Sequence, residues 1–427
     1  MDCLGCGDHL PSCALVVWLP GFVCRLPIIL PSPNQARAAF LLAALGVGTG
    51  WLQLILGTPL ETISPIDFWL IDAYIFFSIS LFPSFSFSLA LVAWALYLFL
   101  EYLETKKWHT VLWVCLLAVL SQTTNPIAFA VVDSAFAGTV ISLWWKNGKI
   151  ETRHLFTLSI IAFAQIPLLV YNFLILNYDP FWSQFTFQNQ TLSPPPLFYI
   201  LGFFPFWLFA LFGIFRAFRE RNSSLLAMTA WVVGGFALAY LPVAIQRRFI
   251  LGITIPLATL AVHGLSYIIK RIPILLKREN LVYFSYILLA SVSSIYLSLG
   301  LSLFIRTLPV EKFYPRDLES TLIWLDKNTA PNDFLLADLP TSQLVAQRTR
   351  LKVYVGHKME TLQFEDKKLA MESFYAGAAP QNWLAQTEVR WVIFGPYENK
   401  ISSSFAARSE LEMVYQNKSV KIYKVNR

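Results

Sequence analysis

The stretch YLPVAIQRRFILGITIP, residues 240–256, sets two adjacent arginines, Arg247 and Arg248, between two apolar runs that are each long enough to cross a bilayer. When every loop of the chain is assigned a side, the lysines and arginines of the other short loops fall on one face and this pair falls on the other. Short-loop cations of a membrane protein normally stay in the cytoplasm. A pair on the far face is therefore expected to serve a binding task, with an anchor reaching lipid phosphates as the blander alternative.

Composition agrees with a membrane protein. The chain has 427 residues, 56% of them apolar and only 14% charged, with a mean hydropathy of +0.55, whereas a soluble domain carries about 25% charged residues. Charge is unevenly spread: residues 1–310 hold 17 Lys+Arg and 12 Asp+Glu, while residues 311–427 hold 16 and 14. The expected organisation is a leader of atypical composition over 1–36, expected to be disordered, an α-helical polytopic membrane domain over 37–310, and a small soluble α/β domain over 311–427. The formal charge of +7 is accounted for by cytoplasmic loops and calls for no nucleic acid.

Runs of spanning length or close to it occur at about 38–56, 85–103, 111–123, 126–145, 155–177, 197–215, 225–244, 249–269 and 281–305, giving about nine spans. With that count Lys106, Lys107, the 146–153 and 216–221 connections and the 270–278 connection share the side of Arg25 and Arg37, the cytoplasm. Residues 57–84, 178–196, 245–248 and the tail then lie outside. Merging the third and fourth runs would move the 146–153 cations outside and break the pattern.

Four of the five cysteines, Cys3, Cys6, Cys13 and Cys24, fall in the first 36 residues with His9. A second pair at zinc spacing is missing, so no metal ligands are assigned. No cofactor is expected; a divalent metal stays open, although no ligand cluster is seen. The loop 57–84 carries Glu61, Asp67 and Asp72 among aromatics. It is expected at the interface, rings at headgroup depth and carboxylates toward water or a cavity. A carboxylate in low-dielectric surroundings has a raised pKa and suits general-base work; the alternative is a capping or solvated acid. Asp133 lies inside a span, so it faces the bundle interior, either paired there or lining a polar cavity. The loop 177–196 is rich in amides and aromatics, side chains that bind sugar hydroxyls and stack on sugar faces, and equally mark a membrane interface. In the tail, His357 and Glu360 are candidates for a polar rim.

The segments QNQTLSPPP (188–196), LPVAIQRR (241–248), WLDKNT (324–329), YVGHKMET (354–361) and FGP (394–396) resemble those of a group of bacterial multi-spanning membrane proteins. That group is similar in plan to GT-C glycosyltransferases, the class holding protein mannosyltransferases and lipid A aminoarabinose transferases. The resemblance implies a transferase taking a sugar from a polyprenyl-phosphate carrier at the outer face of the cytoplasmic membrane, with the C-terminal domain extracytoplasmic. It implies that Asp67 or Asp72 acts as the base and that Arg247 and Arg248 clamp the lipid phosphate, a task suited to the bidentate guanidinium. Gln246, Gln188, Asn189, Asp133, His357 and Glu360 are the further substrate-binding candidates. Members of the group begin with more spans than precede residue 38, so an N-terminally shortened and inactive chain is also expected. The other readings are a non-catalytic scaffold or polymer-binding protein, and a transporter or flippase using Asp133 and the broken 111–145 region.

Overall fold

The computed structural model describes residue 30 and residues 32–57, 65–307, 313–402, 405 and 408–426. Glu61 and most of the 1–36 segment, including its four cysteines and His9, lie outside the described residues. The described end of that segment is helical, since the first helix starts at Pro33. The chain divides into two compact units. One holds residues up to 300 apart from 187–189; the other holds Phe187–Asn189 and Leu301–Arg427.

The first unit is helical. Its elements in chain order begin with α1 (Pro33–Leu45), α2 (Gly50–Leu56), a 3-10 turn at Ile66–Phe68, α3 (Ile75–Leu81), α4 (Pro83–Thr105), α5 (Trp108–Thr124), α6 (Ala128–Asn147) and α7 (Thr152–Tyr178). Then come α8 (Pro180–Gln188, whose last two residues fall in the second unit), α9 (Pro196–Gly202), α10 (Phe204–Glu220), α11 (Ser223–Leu238), a 3-10 turn at Gln246–Ile250, α12 (Thr254–Arg271), α13 (Pro273–Leu276), α14 (Glu279–Ala290) and α15 (Val292–Arg306, whose residues from 301 fall in the second unit). Among the described residues, four helices are long and apolar enough to cross a membrane, or up to seven if each bent pair is one span. The bends are 56° between α1 and α2, 91° between α9 and α10, and 54° between α14 and α15. The apolar helices α5 and α11 are shorter. The runs 111–123 and 126–145 are thus two helices, separated at Asn125, whose side-chain oxygen accepts from the Ile127 N–H at 3.2 Å.

Helix ends follow ordinary capping chemistry. Asn222 accepts from Ser224 N and Leu225 N to open α11, satisfying donors that the first turn leaves without partners. Gly148 closes α6 in the left-handed region at φ 65°. The centre of the unit is α12, buried almost continuously from Thr254 to Leu265. It approaches α10 at backbone distance: a Cβ on Gly213 would stand 2.0 Å from Leu260 O, and one on Gly264 2.1 Å from Phe209 O. Small residues at such crossings let helices pack by van der Waals contact where no hydrophobic force separates protein from lipid.

The second unit contains a five-stranded mixed sheet. Its elements are α16 (Arg316–Asn328), β1 (Phe334–Leu336), α17 (Leu339–Arg348), β2 (Lys352–Val353), α18 (Phe364–Tyr375), β3 (Val389–Phe394), α19 (Glu398–Ile401), β4 (Leu411–Gln416) and β5 (Lys421–Val425). The order is β2-β1-β3-β5-β4. β1 runs parallel to β2 and β3, and β5 runs antiparallel to β3 and β4. Alternation splits the strand side chains between two cores. Leu335, Trp391, Ile393 and Ile422 pack with Leu318, Leu322, Leu325 and Val345 from α16 and α17. Leu336, Val392 and Tyr423 pack with Met371, Phe374 and Tyr375 of α18. Each fully buried leucine of α16 contributes about 1.5–3 kcal/mol.

Candidate functional site

Arg247 and Arg248 sit in the short 3-10 turn Gln246–Ile250, whose Phe249 and Ile250 are buried and pin it to the unit. Both arginines are half-buried. The Arg247 N–H donates to Thr191 O at 3.1 Å, and the Thr191 N–H donates to Ala244 O at 2.7 Å. Nearby, Tyr240 donates its hydroxyl to Pro194 O at 2.8 Å and Ser193 donates to Ala239 O. The polyproline end of the 190–196 loop is therefore fastened along residues 239–247. The Arg247 guanidinium lies over the Trp69 ring, 5.0 Å from its centroid, within cation–π range. Its Nε is buried and finds no acceptor among the described residues.

Asp72 completes this cluster. It belongs to the 65–74 loop, which does not spread along a surface as its aromatics suggested: Ile66, Leu70, Ala73 and Tyr74 are fully buried and belong to the main core. The loop is fastened beside the arginine turn by its backbone. Gly252 N donates to Asp72 O at 2.8 Å, and Thr254 Oγ1 donates to Ala73 O at 3.2 Å. Asp72 is 7% exposed. Burial pushes its carboxyl above the usual range, and the charges of Arg248 and then Arg247 pull it part of the way back. The site thus joins one desolvated carboxylate, two guanidiniums and an indole face.

Asp67, five positions earlier, is placed differently. It is fully buried, and its Oδ2 accepts from Gly50 N and from Ser293 Oγ, both at 2.8 Å. Burial raises its carboxyl too, and the hydrogen bonds from Ser293 and Gly50 oppose that rise. Its geometry is that of a cap on the first turn of α2.

The remaining sequence candidates are scattered. Asp133 accepts from Gln165 Nε2 of α7 at 2.9 Å, a pairing inside the bundle. The Gln246 amide, oriented as a donor, meets Ala239 O and Leu241 O at 3.2 and 3.1 Å, so it folds back on its own turn. Gln188 and Asn189 belong to the second unit. Gln188 donates to Thr361 O at 2.9 Å and accepts from Gln363 N at 3.0 Å, and Asn189 donates to Met359 O at 2.7 Å. These amides therefore hold the turn that carries His357 and Glu360. Within that turn His357 Nδ1 accepts from Met359 N at 3.3 Å, and both His357 and Glu360 are exposed. Trp69 and Thr191 were not singled out by sequence, because only the tertiary fold brings an aromatic and a backbone carbonyl to Arg247.

Among the described residues no group of three or more His, Cys, Asp or Glu is arranged to hold a metal. No family model and no curated protein matches the chain. A solved structure it resembles is the crystal structure of the Archaeoglobus fulgidus oligosaccharyltransferase in complex with Zn and sulfate, at 12% identity and a TM-score of 0.49. The match covers 90% of this chain and 55% of that one, so the chain spans about half of that protein's length. A likeness this loose decides neither fold nor function here.

Proposed function

We propose that the chain is a membrane glycosyltransferase of GT-C type that uses a polyprenyl-phosphate-linked sugar at the outer face of the cytoplasmic membrane. The observation that supports it best is the cluster of Arg247, Arg248 and Asp72, with an Arg247 Nε that lacks a protein acceptor among the described residues. In this reading the two guanidiniums hold the phosphate, in the charge-assisted geometry that arginine favours. The raised carboxyl of Asp72 makes it a stronger base than a solvated aspartate. It takes the proton of an acceptor hydroxyl while that oxygen bonds to the anomeric carbon. The carbon–oxygen bond to phosphate breaks, and the polyprenyl phosphate leaves with the electron pair, its charge retained by the arginines. In this reading α5 and α11 also span, and the resulting nine crossings would put this cluster and the tail outside. Asp133, the residue a transporter reading needs, is engaged by Gln165, which favours a structural role.

The test is binding of a polyprenyl monophosphate by the full chain in lipid nanodiscs. Charge-assisted hydrogen bonds contribute about 1.5–3 kcal/mol each. Arg247→Ala with Arg248→Ala is expected to weaken binding about 100-fold or more while the protein elutes and melts as before. Unchanged affinity in the double variant overturns the proposal.

A further inference from the structure

Three bent helix pairs meet at a single loop. The break between α1 and α2 spans 46–49, that between α9 and α10 falls at Phe203, and that between α14 and α15 falls at Ser291. The first and third breaks are laced together: Val47 N donates to Ala290 O at 2.9 Å, and Ser294 Oγ donates to Leu45 O at 2.7 Å. Thr49 Oγ1 donates to Leu201 O at 2.8 Å, tying the first break to the second. Into this junction the 65–74 loop inserts Ile66 and Asp67. Tyr74, at the other end of the loop, donates its hydroxyl to Gly202 O at 2.9 Å.

The glycines show how close the insertion is. A Cβ on Gly50 would lie 2.5 Å from Asp67 Oδ1, one on Gly48 would lie 2.6 Å from Asp67 Cβ, and one on Gly202 would lie 2.0 Å from Ile66 Cγ1. The broken backbone leaves helical N–H groups without intrahelical partners, which is tolerated in an apolar bundle only where other protein groups satisfy them. Asp67 does so for Gly50 and takes the Ser293 hydroxyl on the same oxygen.

We infer that Asp67 is a positioning residue: its carboxylate pins the 65–74 loop into the breaks of α1/α2 and α14/α15, and the pinned loop presents Asp72 to Arg247 and Arg248. The loop is then held at both ends, by Asp67 at its start and by Gly252 and Thr254 at Asp72 and Ala73. The consequence for Asp72 rests on the function proposed above; the pin does not. Asn is a fit substitute at 67, because its carbonyl oxygen can accept both hydrogen bonds without a charge.

The experiment places a cysteine reporter, Ala73→Cys, in a full-length chain freed of its native cysteines, and follows its labelling by a small maleimide. Ala73 is fully buried, so labelling is expected to be slow with Asp67 and with Asp67→Asn, and at least 10-fold faster with Asp67→Ala. Gly50→Ala, which evicts the carboxylate, is expected to accelerate labelling to the same degree and to add nothing to Asp67→Ala. Labelling no faster in Asp67→Ala overturns the pin. If that variant does not fold, Ser293→Ala removes one of the two bonds and is expected to give a several-fold acceleration; an unchanged rate there also overturns it. In the second arm, with residue 73 native, Asp67→Ala is expected to bind polyprenyl monophosphate several-fold more tightly, since Asp72 displaced from Arg247 and Arg248 no longer offsets their charge, and Asp67→Asn to bind as the parent does. Equal affinity of all three overturns the positioning of Asp72, whereas no binding by the parent chain overturns the proposed function and leaves the labelling result to decide the pin.

Discussion

Glu398 does in the second unit what Asp67 does in the first. It is fully buried; its Oε1 accepts from Asp338 N and its Oε2 from Gly395 N, both at 2.9 Å, joining the ends of β1 and β3. Burial raises its carboxyl above 4.5 despite those bonds. The folded chain therefore holds this proton more tightly than the unfolded chain, and its contribution to stability falls as pH rises from 4.5 through the raised value. Glu398→Gln is expected to flatten that part of the stability–pH curve, read as the difference between variant and parent in thermal unfolding. It leaves one N–H unsatisfied, at a cost of about 1–3 kcal/mol at neutral pH. Sequence drew attention to His357 and Glu360 and passed over Glu398. Residue type alone does not reveal which carboxylate is enclosed, and its partner Asp338 lies 60 positions away. Arg247 and Arg248 were legible for the opposite reason: charge inside a long apolar stretch is conspicuous in one dimension.

At the scale of elements, the α/β character of the tail was readable because a half-buried strand alternates and α16 repeats its leucines at helical spacing. The strand β2 is only two residues long, Lys352–Val353, and its neighbour β1 is itself three residues long. The bends were not readable. The breaks at 46–49, 203 and 291 fall inside continuous apolar stretches, and what holds them open is hydrogen bonding to distant residues. The α10/α12 crossing gives the direct test of close packing. Gly264→Val puts a branched side chain against the Phe209 carbonyl, only 2.1 Å from where its Cβ would be. Overpacking of this kind costs about 1–3 kcal/mol or more, so thermal unfolding in detergent is expected to shift down by several degrees, while Val262→Ala nearby, also buried, leaves the crossing itself intact and lacks the backbone clash.

For the molecule as a whole, the decisive expectation is sidedness. Single cysteines at Gln190 in the 190–196 loop and at Lys418 in the tail, both exposed, are expected to react with an impermeant maleimide added to intact cells. One at Lys149, also exposed, is expected to react only after permeabilisation. Reaction of 190 and 418 under opposite conditions would contradict nine crossings.

The junction around Asp67 also sets a timetable for biosynthesis. Ser293 is separated from Asp67 by 226 positions, so at about 5–20 residues per second a ribosome needs on the order of ten seconds or more to deliver it. Throughout that interval the hydroxyl donor of this acid has not yet been synthesised. Early helices can form as they emerge, but this knot can be tied only when α15 arrives.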